Sequence, residues 1–292
     1  MKALDASSYP ALFRSADDAS NRKQSAYLNL IRGEFFLLFL AAFLAMENFS
    51  GTVVSIAYAA LFIISIGLLL TRTFLQFEQG WYRCRALAES IKTSTWRYMM
   101  GAEPFVKGAS ADSRRDFQQH LVRIFRANET AASAVSANYA AEAQISEAME
   151  AVRQTSLRDR KTFYISQRVQ EQREWYVAKA VKNRASVKTW VFVSVLIYAI
   201  AGLMALIRIA PTSWHFWPME PMLVIASSII GWMSIKKYSE LAAAYTITAH
   251  EIGLIRPTIE DAETETSFSI AVNEAELAFS REHTLWIARQ TS

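Results

Sequence analysis

The stretch Thr52–Leu70, TVVSIAYAALFIISIGLLL, holds no charged side chain. About twenty apolar residues carry a helix across the hydrocarbon of a bilayer, so this stretch reads as a membrane span. Just before it stands the polar break Glu47-Asn48-Phe49-Ser50-Gly51, and before that Phe35–Met46 is apolar without interruption, extending back over Ile31 and Leu28. Two apolar runs around a short break make a helical hairpin, with spans expected at about 31–47 and 52–70. Arg32 and Glu34 fall near the inner end of the first span, where long charged side chains reach back to the interface.

A second hairpin follows, Trp190–Ile207 and Met222–Ile235, with spans expected at about 190–207 and 219–235. Its tip, Arg208–Pro221, carries Pro211, Trp214, His215, Phe216, Trp217 and Pro218, and aromatic residues anchor chains at the membrane boundary. Between them the two tips hold one basic residue, Arg208. The opposite flanks carry Arg22, Lys23, Arg32, Arg72, Lys182, Arg184, Lys188, Lys236 and Lys237. The positive-inside rule therefore places both termini and the central segment in the cytoplasm. The expected fold is an all-α membrane protein: two transmembrane hairpins, four spans, and long cytoplasmic helices extending from them.

The rest of the chain agrees. It has 292 residues, 52% hydrophobic and 20% charged, with a net charge of +4. The basic balance comes from the flanks of the spans and sets topology on anionic lipid rather than marking a nucleic-acid binder. No secretory signal is read in the first thirty residues, so the first span is expected to direct insertion. Cys84 is the one cysteine and reads as a small buried helix residue that stays reduced; Arg83 and Arg85 could lower its pKa, but it has no His partner nearby in sequence.

Helix breakers are sparse in the cytoplasmic part. One helix is expected from the second span to about Met100, then a turn at Gly101-Ala102-Glu103-Pro104, then helix from about Asp112 to Gln154, either continuous or interrupted. A last one runs from about Arg158 straight into the third span, about fifty residues or about 75 Å, as a rigid stalk. Tyr164, Arg168, Gln172, Tyr176, Lys179 and Asn183 recur every three or four residues and share one side of it. Phe77, Trp81, Tyr82, Ala86, Ala88 and Glu89 after the first hairpin parallel Tyr238, Leu241, Ala244, Tyr245, Ala249 and Glu251 after the second, as an internal duplication would. A terminal helix is expected over Ser267–Arg289, packing through Ala275, Phe279, Trp286 and Ile287.

Chemistry is scarce. His120, His215, His250 and His283 stand at no metal-ligand spacing, and there is no phosphate loop or nucleophile turn; no catalytic residue, metal or cofactor is expected. Glu89, Glu103, Glu142, Glu147 and Glu150 read as solvated or ion-paired. Arg114, Arg115, Arg123, Arg126, Arg158, Arg160 and Lys161 read as helix-surface charge that could also meet an anion. The spans hold hydroxyls but no mid-depth charge, which argues against an ion-coupled transporter. Ser55, Ser194, Ser227, Ser228, Gly231 and Ser234 are the candidates for helix contacts or a pore lining.

The order of motifs resembles the SLATT family, bacterial membrane effectors built from two-helix transmembrane units. The resemblance rests on Trp81-Tyr82, Arg85, Ala88-Glu89, Lys92, Trp96, Tyr98 and Pro104 after one hairpin. It continues with Tyr164, Arg168, Gln172, Trp175-Tyr176, Lys179-Ala180 and Asn183 before the next, and ends with Ser280-Arg281-Glu282-His283 and Trp286. It implies two tandem units, expected at 1–110 and 111–292, and a role in anti-phage or conflict systems at the bacterial inner membrane. It also implies homo-oligomeric, signal-gated pore formation or membrane disruption that ends in growth arrest or death. The implied partners are a nucleotide second messenger or a co-encoded sensor, such as a nucleotide synthase or reverse transcriptase. Arg168, Gln172, Tyr176, Lys179 and Asn183 are the candidates for coupling a signal to the spans. The alternative is a membrane-anchored scaffold that docks a partner enzyme on helices 112–188.

Overall fold

The computed structural model describes residues 4–106, 112–210 and 214–291, with residues 281–291 described by their backbone alone. Among these residues there is helix and no strand. The α-helices are α1 (Ala11–Leu44), α2 (Thr52–Leu75), α3 (Phe77–Met100), α4 (Ser113–Ala127), α5 (Glu129–Ala132) and α6 (Glu147–Gln154). They continue as α7 (Leu157–Tyr164), α8 (Glu171–Ile207), α9 (Met219–Lys236), α10 (Tyr238–Glu260) and α11 (Glu265–Thr291). A π-helical segment, Ile165–Gln170, joins α7 to α8.

Three helical stretches are long and apolar enough to cross a membrane: Ala11–Leu44, Thr52–Met100 and Leu157–Ile207. α9 has 18 residues, with Glu220 in its first turn and Lys236 in its last, and is not one of those three. The expected single helix from the second span to Met100 is bent at Gln76, which takes the left-handed conformation (φ 42°). Lys237 does the same (φ 46°) between α9 and α10. The expected helix Asp112–Gln154 is broken into α4, α5 and α6. The cause is local: Ser136 and Ser146 each accept a backbone N–H as caps, so their side chains compete with helix continuation.

The chain divides into two compact units. The first comprises residues 1–24, 78–179 and 244–292, and its core is aromatic. Tyr98 stacks on Phe117 at 4.5 Å, and Trp96 meets Tyr164 edge-on at 5.8 Å. Leu87, Ile91, Met149, Phe163, Phe268, Val272 and Phe279 fill the space between. α3 ends in a Schellman turn: Gly101 is left-handed (φ 67°), its N–H reaches Tyr98 O at 3.1 Å, and the Ala102 N–H reaches Arg97 O at 2.9 Å. Buried arginines complete this end. Arg153 donates to Tyr98 O and to Phe105 O, and Arg160 donates to Met100 O. Cations at a helix C-terminus satisfy orphan carbonyls and oppose the negative end of the dipole. Lys161 does the same beyond α10, donating to Glu260 O at 2.7 Å and Ala262 O at 3.0 Å.

The second unit comprises residues 25–77 and 180–243. Its inside is small and apolar: Ile31, Leu61, Ala201 and Ala226 are buried. Gly231 of α9 is packed on Phe35, whose Cζ lies 3.1 Å from where a Cβ would stand. Arg72 donates to Glu34 at 2.8 Å, and Asn48 donates to His215 O at 3.0 Å. Its outside is the reverse of a water-soluble protein. Val53, Ile56, Ile63, Phe192, Val195 and Leu203 are all more than half exposed. Hydroxyls on these helices fold back onto their own backbone, Ser65 to Leu61 O, Thr71 to Gly67 O and Ser234 to Ile230 O. In hydrocarbon no water is present to accept from them, and an apolar surface this extensive is unstable in water.

Candidate functional site: a buried arginine cluster at a π-helical turn

Arg168 lies inside the π-helical segment and is buried, at 1% exposure. Its guanidinium meets Glu276 of α11, which is fully buried, through two parallel hydrogen bonds: Nε to Oε1 at 2.9 Å and Nη2 to Oε2 at 2.7 Å. Tyr164 donates its hydroxyl to the same Oε1 at 2.9 Å. Glu89 of α3 stands 3.9 Å from Nη2. The guanidinium carbon lies 5.0 Å from the Phe279 ring and 5.9 Å from Trp96. Burial alone lowers the pKa of Arg168, but the Glu276 carboxylate, its hydrogen bonds and Glu89 outweigh that and raise it. Tyr164 is pushed well above its ordinary value by burial and then by the charge of Glu276. The half-buried Lys92 is lowered by burial and then by Arg168. Arg168 is thus held as a cation in a buried site, which is stable only while every partner is in place.

The π segment Ile165–Gln170 carries Arg168 into this site. π segments are rare single-turn insertions and recur at functional sites. Beyond the turn the expected face persists: Tyr176 is buried and meets the Tyr245 ring at 5.6 Å, while Gln172, Lys179 and Asn183 are half-buried. Lys179 Nζ lies 5.3 Å from the Trp175 ring. So the structure turns this face inward and brings Arg168 onto two carboxylates, whereas Gln172, Lys179 and Asn183 reach neither.

The pore and contact candidates divide by burial. Ser194 is buried at 6% and Gly231 is packed on Phe35, so both are interior positions of the second unit. Ser55, Ser227 and Ser234 are exposed and Ser228 is half-buried. Cys84 is fully buried, as its reading as a small buried helix residue requires, and burial raises its pKa more than Lys23 and Arg22 lower it. Arg160 corrects an expectation, since it is buried against Met100 O and Glu265 and offers no surface charge. His283 and the motif after Ser280 lie outside the described side chains. Among the described residues no three His, Cys, Asp or Glu are grouped as metal ligands.

Glu276 was not singled out from the sequence, although a signal was present. Phe268, Val272, Ala275 and Phe279 mark an apolar stripe with Glu276 on it, and a carboxylate on such a stripe requires a buried cation.

Helical spans flanked by a packed helical unit define this chain as a multi-span α-helical membrane protein. Residues 10–161 match the family described as SMODS and SLOG-associating 2TM effector domain 3, and residues 164–286 match SMODS and SLOG-associating 2TM effector domain 1. The chain therefore belongs to the SLATT family and carries two of its domains in tandem. The join falls between residues 161 and 164, beside the π turn. No curated protein and no solved structure matches the chain.

Proposed function

We propose that this protein is a signal-gated effector of a bacterial anti-phage or conflict system. It acts as a homo-oligomer in the inner membrane with both termini in the cytoplasm. There it opens or disrupts the bilayer, so that growth stops or the cell dies. Effector domains of this family associate with SMODS and SLOG domains by name, which makes a nucleotide second messenger or a co-encoded sensor the expected input.

One observation carries the reading. The helical stretch Leu157–Ile207 runs from the buried Arg168 cluster into an apolar segment long enough to cross a bilayer. A signal that favours one arrangement of the π turn thereby acts on the same rod that enters the membrane. It must bind that arrangement more tightly than the other. Four spans are too few to enclose a water path, so the pore requires several copies, with Ser55, Ser227, Ser228 and Ser234 as lining candidates. Apolar constriction would gate it, and selectivity would be poor.

The test is dye release from proteoliposomes containing the purified chain, with and without the co-encoded partner, alongside membrane potential in overexpressing cells. Release and depolarisation that depend on the partner support the proposal. Retention of dye and normal growth, together with capture of the partner by the chain, would instead favour the docking-scaffold alternative.

A further inference from the structure

The outward face of α4 is a cationic surface that the reading above does not use. Arg115, Gln118, Gln119, Val122, Arg123 and Arg126 form one open, exposed face of this helix, and no carboxylate is among them. Phe117 and Leu121 anchor the opposite side of the helix in the core, so the arginine face is fixed in direction. Two of the arginines of α4 are already engaged, Arg114 by Glu150 at 3.5 Å and Arg115 by Asp112 at 3.9 Å. Arg123 and Arg126 make no ion pair among the described residues. They stand three apart, which puts both guanidinium groups on neighbouring positions of one face.

We propose that this face binds phosphate-bearing anions, held by Arg123 and Arg126 with Gln118 and Gln119 as amide donors. Planar guanidinium forks match the oxygens of a phosphate in pairs. The local field agrees. His120, one turn before Arg123, donates or accepts at 3.2 Å with Ser94 and packs edge-on against Phe105. Burial lowers its pKa, and the neighbouring cations Arg123 and Arg97 lower it further. The proposal does not depend on pore formation. The same chemistry is offered by a free phosphate compound and by an anionic lipid headgroup.

The experiment uses the full chain in nanodiscs, with inorganic pyrophosphate as the soluble probe and the titration of His120 by NMR as the readout. In phosphatidylcholine discs, bound pyrophosphate is expected to raise the His120 midpoint. Arg123→Gln with Arg126→Gln is expected to weaken that binding about tenfold or more. Arg114→Gln, whose partner is Glu150, is expected to leave it unchanged. A rise only in phosphatidylglycerol discs, lost in the double variant, identifies the headgroup as the source and supports the same site. No rise with either, or binding that the double variant retains with its helix content intact, overturns the proposal.

Discussion

Glu276 is the residue on which the first compact unit most depends. Its carboxylate takes three hydrogen bonds, two from Arg168 and one from Tyr164. Replacing it by Gln leaves the buried guanidinium with only the more distant Glu89, at 3.9 Å, as a counter-charge, and breaking a buried pair in this way costs about 3–5 kcal/mol. Glu276→Gln is therefore expected to lower the unfolding midpoint in detergent sharply. The paired change Arg168→Met with Glu276→Leu is expected to recover most of the loss; a double variant as unstable as the single one would mean that the pair is not what holds the site. His120 gives a pH dependence of known sign. Its folded pKa lies below the ordinary 6.5, so below that pH the unfolded chain binds more protons and stability falls. Thermal melts should show a midpoint that declines from pH 7 to pH 5, and a shallower decline in His120→Gln. At this scale the sequence disclosed half of the site. Arg168 is legible from its place on a periodic face, but its partners come from residues 89 and 276, and a face says nothing about which helix will cover it.

Among the elements, the two left-handed residues are the clearest common feature of the two halves. Gln76 and Lys237 each follow an apolar helix and precede one of similar length, α3 or α10. A non-glycine residue in that region costs about 1–2 kcal/mol. Gln76→Gly and Lys237→Gly are expected to raise stability by about 1 kcal/mol each, and the corresponding Pro variants to lower it, by the same detergent melts. Periodicity could not show these bends, because a single residue changes conformation while the apolar pattern continues on both sides. The π turn escaped notice for a similar reason: one inserted residue slides the 3- and 4-residue spacing within its normal scatter. Deleting Ser166 should restore an ordinary α-helix there and turn the preceding segment by about 100°. If the reading of the turn as the coupling element is right, this variant inserts normally but loses partner-dependent dye release.

For the molecule as a whole, the separation of apolar from charged stretches was legible from the start, because hydrocarbon needs long uncharged runs. The fourth span was the hardest to read, since α9 is short and bounded by Glu220 and Lys236. Topology is testable by labelling single cysteines in a Cys84→Ala background. Positions 48 and 215 are expected to react with an impermeant reagent from outside the cell, and positions 112 and 263 only after permeabilisation; reaction of 112 from outside would contradict the assigned orientation. Gly231→Ile should loosen the contact with Phe35 at a cost of about 1–3 kcal/mol. The tie between Arg168 and Glu276 also has a consequence in time, for the two residues are 108 positions apart. At ribosomal speeds of about 5–20 residues per second, Arg168 emerges roughly 5 to 20 seconds before its partner exists. During that interval the second apolar pair, residues 190–235, is itself being made, while the arginine must stay hydrated. The unit built around Arg168 and Glu276 therefore closes only after every apolar stretch of the chain has been made.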